Sequence, residues 1–166
     1  MDKKTTAVSL VKTALMMAAI VVATMLAFPV FNGYIHLGDS MIFLSVLLLG
    51  WKRGAVASGV GSAMADILTG YAVWAPWTLV IKALMAIVMG IVLGESRYKL
   101  RRILAMIAGV VVMLIGYFIA GGLIYGDFPT ALLSVPWNVL QGIMGIIVAN
   151  LLALALAKTP LLRASK

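Results

Sequence analysis

Residues 13–38, 103–126 and 128–157 contain no aspartate, glutamate, lysine or arginine. This absence constrains the chain more than any motif in it. A helix needs about 20 consecutive apolar residues to cross the roughly 30 Å hydrocarbon core of a bilayer. The chain of 166 residues is 64% hydrophobic, whereas an ordinary soluble domain is nearer half apolar. Barrel strands would alternate apolar and polar residues with a period of two; these runs are continuous, so they read as helices.

Six hydrophobic segments emerge, near 7–28, 38–50, 54–72, 76–94, 101–124 and 131–157. The stretches between them (FPVFNGYIH, WKRG, YAVWAP, ESRYKLRR and YGDFP) carry the Gly, Pro or charged residues that stop helices. The expected fold is therefore all-α: one integral membrane bundle of six transmembrane helices, a single domain over 1–166. The second segment rises only about 18 Å, so it must extend into its loop or be shielded by neighbours. The first segment follows Lys3 and Lys4 as a signal peptide would, but it is long for one and lacks a small-residue cleavage site, so it is read as a retained helix.

Charge placement sets the orientation. Lys3, Lys4 and Lys12 flank the first segment, Lys52 and Arg53 the second, Arg97, Lys99, Arg101 and Arg102 the fourth, and Lys158, Arg163 and Lys166 the sixth. With alternating spans all these fall on one side, and the positive-inside rule makes it cytoplasmic, both termini included. The net charge of +8 is thus a topology signal, and nucleic acid is not an expected partner. There is no cysteine and one histidine, His36. No Walker loop, His-Glu-x-x-His, nucleophile elbow or acid cluster is present, so catalytic residues, a metal site and a cofactor are not expected.

Unusual polar residues gather toward the opposite, outer side. Asp66 and Lys82 lie inside apolar runs, where an ionisable side chain costs about 2.5–3.5 kcal/mol on insertion scales and generally faces a partner or a cavity. They neutralise each other across adjacent helices, contact a ligand, or do both. Asn138 and Gln141, three apart, share a helix face, as interhelical glue or as ligand contacts. Tyr34, His36, Asp39, Tyr71 and Trp74 come from the outer loops; the aromatics also suit interfacial anchoring, and His36 suits a capping role. On the first segment, Ala14 with Ala18 and Ala19 with Ala23 form small-residue strips that admit another helix closely, within this bundle or from another protein.

Residues 37–44 (LGDSMIFL), 48–66 (LLGWKRGAVASGVGSAMAD), 70–82 (GYAVWAPWTLVIK) and 13–18 (TALMMA) together resemble the substrate-binding S components of energy-coupling factor (ECF) vitamin transporters. The likeness covers most of the chain, including its size and six-helix plan. It is nearest to the subgroup associated with hydroxymethylpyrimidine or pyridoxine-like vitamins. The resemblance implies a transport subunit of the bacterial plasma membrane, not an enzyme. Such a subunit captures a vitamin at the outer face and works with a transmembrane coupling (T) protein and two cytoplasmic ATPases. It places partner docking on Ala14 and Ala18, with Ala19 and Ala23 beside them. It places the vitamin among Tyr34, His36, Asp39, Asp66, Tyr71, Trp74, Lys82, Asn138 and Gln141.

The vitamin itself stays open. A carboxylate ligand such as pantothenate would favour Lys82, and a neutral pyridine or pyrimidine would favour Asn138, Gln141 and Asp66. Riboflavin, thiamine and folate are further alternatives, as is a self-sufficient carrier coupled to an ion through Asp66.

Overall fold

The computed structural model describes residues 3–30, 33–96 and 98–157. The chain runs α1 (Lys3–Met25), β1 (Ala27–Val30), β2 (Gly33–His36), α2 (Gly38–Leu49), α3 (Trp51–Leu68), α4 (Ala75–Leu93), α5 (Lys99–Tyr125), α6 (Phe128–Leu132) and α7 (Val135–Leu156). Each of the six expected segments holds one of the principal helices. Four stretches of the described chain, Thr6–Met25, Ala75–Leu93, Lys99–Tyr125 and Phe128–Leu156, are long and apolar enough to cross a membrane.

The expectation of an all-helical chain needs one correction. Residues 27–36 form an antiparallel hairpin in which Ala27 pairs with His36, Phe28 with Ile35, Pro29 with Tyr34 and Val30 with Gly33. The first helix therefore ends short of the expected 28: residues 27 and 28 are strand. Proline is tolerated in a two-stranded ribbon because each strand has a free edge. A second correction falls on the last segment, which splits into the single-turn α6 and the long α7. Asp127 caps α6, its Oδ2 accepting from the Thr130 backbone N–H at 3.0 Å and from the Thr130 hydroxyl. Pro129 and Pro136 each occupy the first turn of their helix, where the missing N–H would have been unpaired anyway.

The short α2 is the centre of the bundle. Gly38, Asp39, Ser40 and Ile42 to Val46 are all buried, and α1, α3, α4 and α7 all pack on it. A 12-residue helix is too short to span a bilayer by itself, but its neighbours surround it. Phe43, Ile42, Met85, Met89, Met106 and Met113 form the apolar interior around it.

Small residues set how closely the helices approach. The buried residues of α3 are Gly, Ala and Ser, with Asp66 at the far end. At Gly59 an added Cβ would lie 2.7 Å from the main-chain oxygen of Leu79. That close approach seats α4 on α3 and fixes which face of α4, the face carrying Lys82, turns inward. The α2–α3 and α4–α5 junctions lie at one end of the bundle. The hairpin, the α3–α4 turn and α6 lie at the other.

Candidate functional site

The hairpin end of the bundle encloses a cluster of buried polar side chains drawn from distant parts of the sequence. Asp39 stands in the first turn of α2 and is fully buried. Lys82, two turns into α4, is also fully buried, and its ammonium forms an ion pair with Asp39 Oδ1. Gln141, two turns into α7, donates from Nε2 to Asp39 Oδ2 at 2.8 Å. Its Oε1 accepts from the His36 backbone N–H at 3.2 Å. Both oxygens of the carboxylate and both ends of the amide are thus engaged.

Local sequence explains how each group arrives. Gly38 lets the chain turn from the hairpin into α2 without a side chain. A Cβ there would fall 2.2 Å from Thr24 Oγ1 and 2.8 Å from His36 Nδ1. The Gly38 N–H instead donates to His36 Nδ1 at 3.0 Å, which makes that nitrogen an unprotonated acceptor. Burial holds the His36 imidazole down, at about 4 against an ordinary 6.5. The nearby Asp39 carboxylate opposes this and Lys82 adds to it. His36 is therefore neutral at physiological pH.

α5 supplies a wall. Met113 Sδ lies 3.2 Å from Lys82 Nζ and 3.8 Å from Gln141 Nε2. The Tyr117 ring lies 5.2 Å from the Lys82 ammonium, close enough for the cation to be drawn to the ring face. Its hydroxyl donates to Thr78 Oγ1 at 3.2 Å. Trp74 packs against Tyr117 and Tyr125 with centroids 6.0 and 5.9 Å apart. The wall therefore runs from a cation outward over three aromatic rings.

Of the residues expected at a site, His36, Asp39, Lys82 and Gln141 share one hydrogen-bonded network, and Trp74 stands behind it through Tyr117. Asn138 is half-buried on the same helix as Gln141, one turn nearer its start. Tyr71 is exposed at 44%. The backbone of Tyr34 belongs to β2, and its side chain lies outside the described residues. Asp66 is buried at 2% and ends a stripe formed with Ser58 and Ser62, which are buried too. The sequence offers Asp66 as a partner of Lys82; the carboxylate that forms the ion pair is Asp39.

Met113, Tyr117 and Thr78 join the network without being expected site residues. Of the three, Tyr117 carried a signal, as the one aromatic hydroxyl in the middle of the fifth segment. On α1, Ala14 and Ala18 are exposed while Ala19 and Ala23 are half-buried. Ala18, Ala19 and Ala23 border an open apolar hollow of about 490 Å³, closed on its far side by Leu37, Met41 and Val148.

Residues 4–158 match the family described as "ECF-type riboflavin transporter, S component". The chain is 37% identical over 145 residues to an uncharacterized protein of Pyrococcus woesei, covering 84% of this chain and 95% of that one. It is 30% identical over 124 residues to the thiamine precursor transporter HmpT of Lactococcus lactis subsp. cremoris, covering 75% of this chain and 70% of that protein.

Proposed function

Because the chain belongs to the S components of ECF-type transporters, we propose that it captures a water-soluble vitamin or vitamin precursor at the outer face of the plasma membrane. S components are transport subunits rather than enzymes, and they work with a T component and ATPases. In this proposal the chain hands its ligand inward when it is docked on that ATP-driven module. A hydroxymethylpyrimidine or pyridoxine-like compound is the favoured ligand.

The observation that carries the proposal is the buried His36–Asp39–Lys82–Gln141 network. Two buried charges and an amide are a poor way to hold a membrane bundle together. Replacing a buried ion pair by packed apolar groups is often neutral or stabilising, so the pair points to a role beyond packing. Ligand pockets commonly combine aromatic walls with a few fixed polar groups, and Trp74 and Tyr117 beside this network fit that pattern. The likeness to a thiamine precursor transporter favours a pyrimidine. The description of the matching family favours riboflavin as the second choice. Asp66, Asn138, Tyr34 and Tyr71 are proposed as outlying contacts.

Docking is proposed on the exposed strip of Ala14 and Ala18. Small side chains there admit a partner helix closely, and the apolar hollow beside Ala18, Ala19 and Ala23 extends the same face. Identifying by mass spectrometry the small molecule that co-purifies from cells grown in rich medium tests the assignment. A pyrimidine or pyridine is expected; riboflavin would favour the second choice. Uptake without partners or ATP would instead mean an ion-coupled carrier.

A further inference from the structure

We propose that the Asp39–Lys82 pair is a charge filter, keeping the site electrically neutral and restricting its ligand to an uncharged nitrogen heterocycle in preference to a carboxylate-bearing vitamin. The inference rests on the binding role argued above, and it names the residues that set specificity there.

Lys82 is the cation that would greet an anionic ligand, but it is already committed. Asp39 Oδ1 pairs with it, the Met113 sulfur lies 3.2 Å from it, and the Tyr117 ring covers it. Asp39 cannot swing away at little cost, because Oδ2 is held by Gln141, which is itself tied to the hairpin backbone. Both charged side chains are essentially sealed from solvent.

A ligand carboxylate reaching Lys82 therefore has two outcomes. It leaves two carboxylates on one ammonium, or it displaces Asp39 and leaves that carboxylate buried with only an amide for company. A buried charge without its counter-ion is the arrangement that a low-dielectric interior penalises most. His36 offers no second cation, since its Nδ1 accepts a hydrogen bond from Gly38. A neutral ring carries none of these penalties. It stacks along the aromatic wall and leaves the Asp39–Lys82–Gln141 contacts intact, so the charge balance stays at zero. Rejection of the wrong ligand then comes from the charge it would leave unpaired, a common source of specificity.

The test is calorimetric titration of the purified full-length protein, in detergent at neutral pH, with hydroxymethylpyrimidine and with pantothenate. Wild type is expected to bind the pyrimidine at least 100-fold more tightly. Asp39→Asn frees the ammonium and should narrow that ratio at least tenfold, chiefly through gained pantothenate affinity. Asp39→Asn combined with Lys82→Met restores neutrality and should restore rejection of pantothenate. The double variant leaves neither member of the pair as an unpaired buried charge, so it keeps the test decisive if the single variant fails to fold.

An unchanged ratio in folded Asp39→Asn overturns the filter. So does a double variant that binds both compounds equally. Tight pantothenate binding by wild type overturns the filter and leaves the S-component role standing. If wild type binds neither these compounds nor riboflavin, the filter falls together with the proposed vitamin site.

Discussion

Gln141 is the residue that joins the hairpin to the ion pair, because its two amide ends serve His36 and Asp39 separately. Gln141→Leu keeps the volume but leaves a buried acceptor and a buried donor without partners, each worth about 1–3 kcal/mol. Thermal unfolding should show a clear loss of stability, and titration should show ligand affinity at least tenfold weaker. Retention of both would separate Gln141 from the site. His36 yields a pH prediction. Burial holds its pKa at about 4 in the folded protein, against 6.5 when solvated. Between those values the unfolded chain takes up a proton that the folded chain refuses. Stability is therefore complete above about pH 6.5 and declines as pH falls toward 4, by up to about 3 kcal/mol. A melting temperature followed from pH 7 to 4.5 should fall more for wild type than for His36→Asn. Lys82, Asp39, His36 and Gln141 stood out in the sequence because polar groups in apolar surroundings are costly and conspicuous. Their pairing was not legible, since Asp39 meets partners 43 and 102 residues away. Met113 gave no signal at all, since methionine in a membrane helix looks like ordinary packing.

The long helices were readable element by element, because an uncharged apolar run has few alternatives in a bilayer. The hairpin was not. Its strands are only four residues each, and Pro29 reads as a breaker. The split of the last segment at Leu133 and Ser134 was likewise hidden inside one apolar run. α1 is where an element-scale experiment bears on function. Ala14 and Ala18 are exposed and small, so a tryptophan at either position costs the bundle little and obstructs a docking helix. Ala14→Trp or Ala18→Trp should leave vitamin affinity unchanged while abolishing assembly with the coupling protein. Recovery of that protein by both variants in a pull-down would move the docking face elsewhere.

The whole molecule has basic residues at the end away from the hairpin, with Lys52, Arg53, Lys99, Arg101 and Arg102 among the described ones; 97 and 158–166 lie outside them. This one-sided charge supports placing the hairpin end outside, where a vitamin would arrive. Residues 1–166 carry no Walker loop. Reconstituted alone in liposomes, the chain should bind its vitamin but not accumulate it, and added ATPases with the coupling protein should make uptake ATP-dependent. Accumulation by the chain alone would favour the ion-coupled carrier. The span of the polar network along the chain has a further consequence, for the order of synthesis. Asp39 and Lys82 are synthesised well before Gln141, which α7 supplies. Until then the carboxylate lacks its second partner and α2 lacks one of its covering helices. A nascent chain stalled before α7 would present an unfinished polar centre to lipid and to the cell's proteases. The buried polar network is thus complete only once α7 has packed against α2.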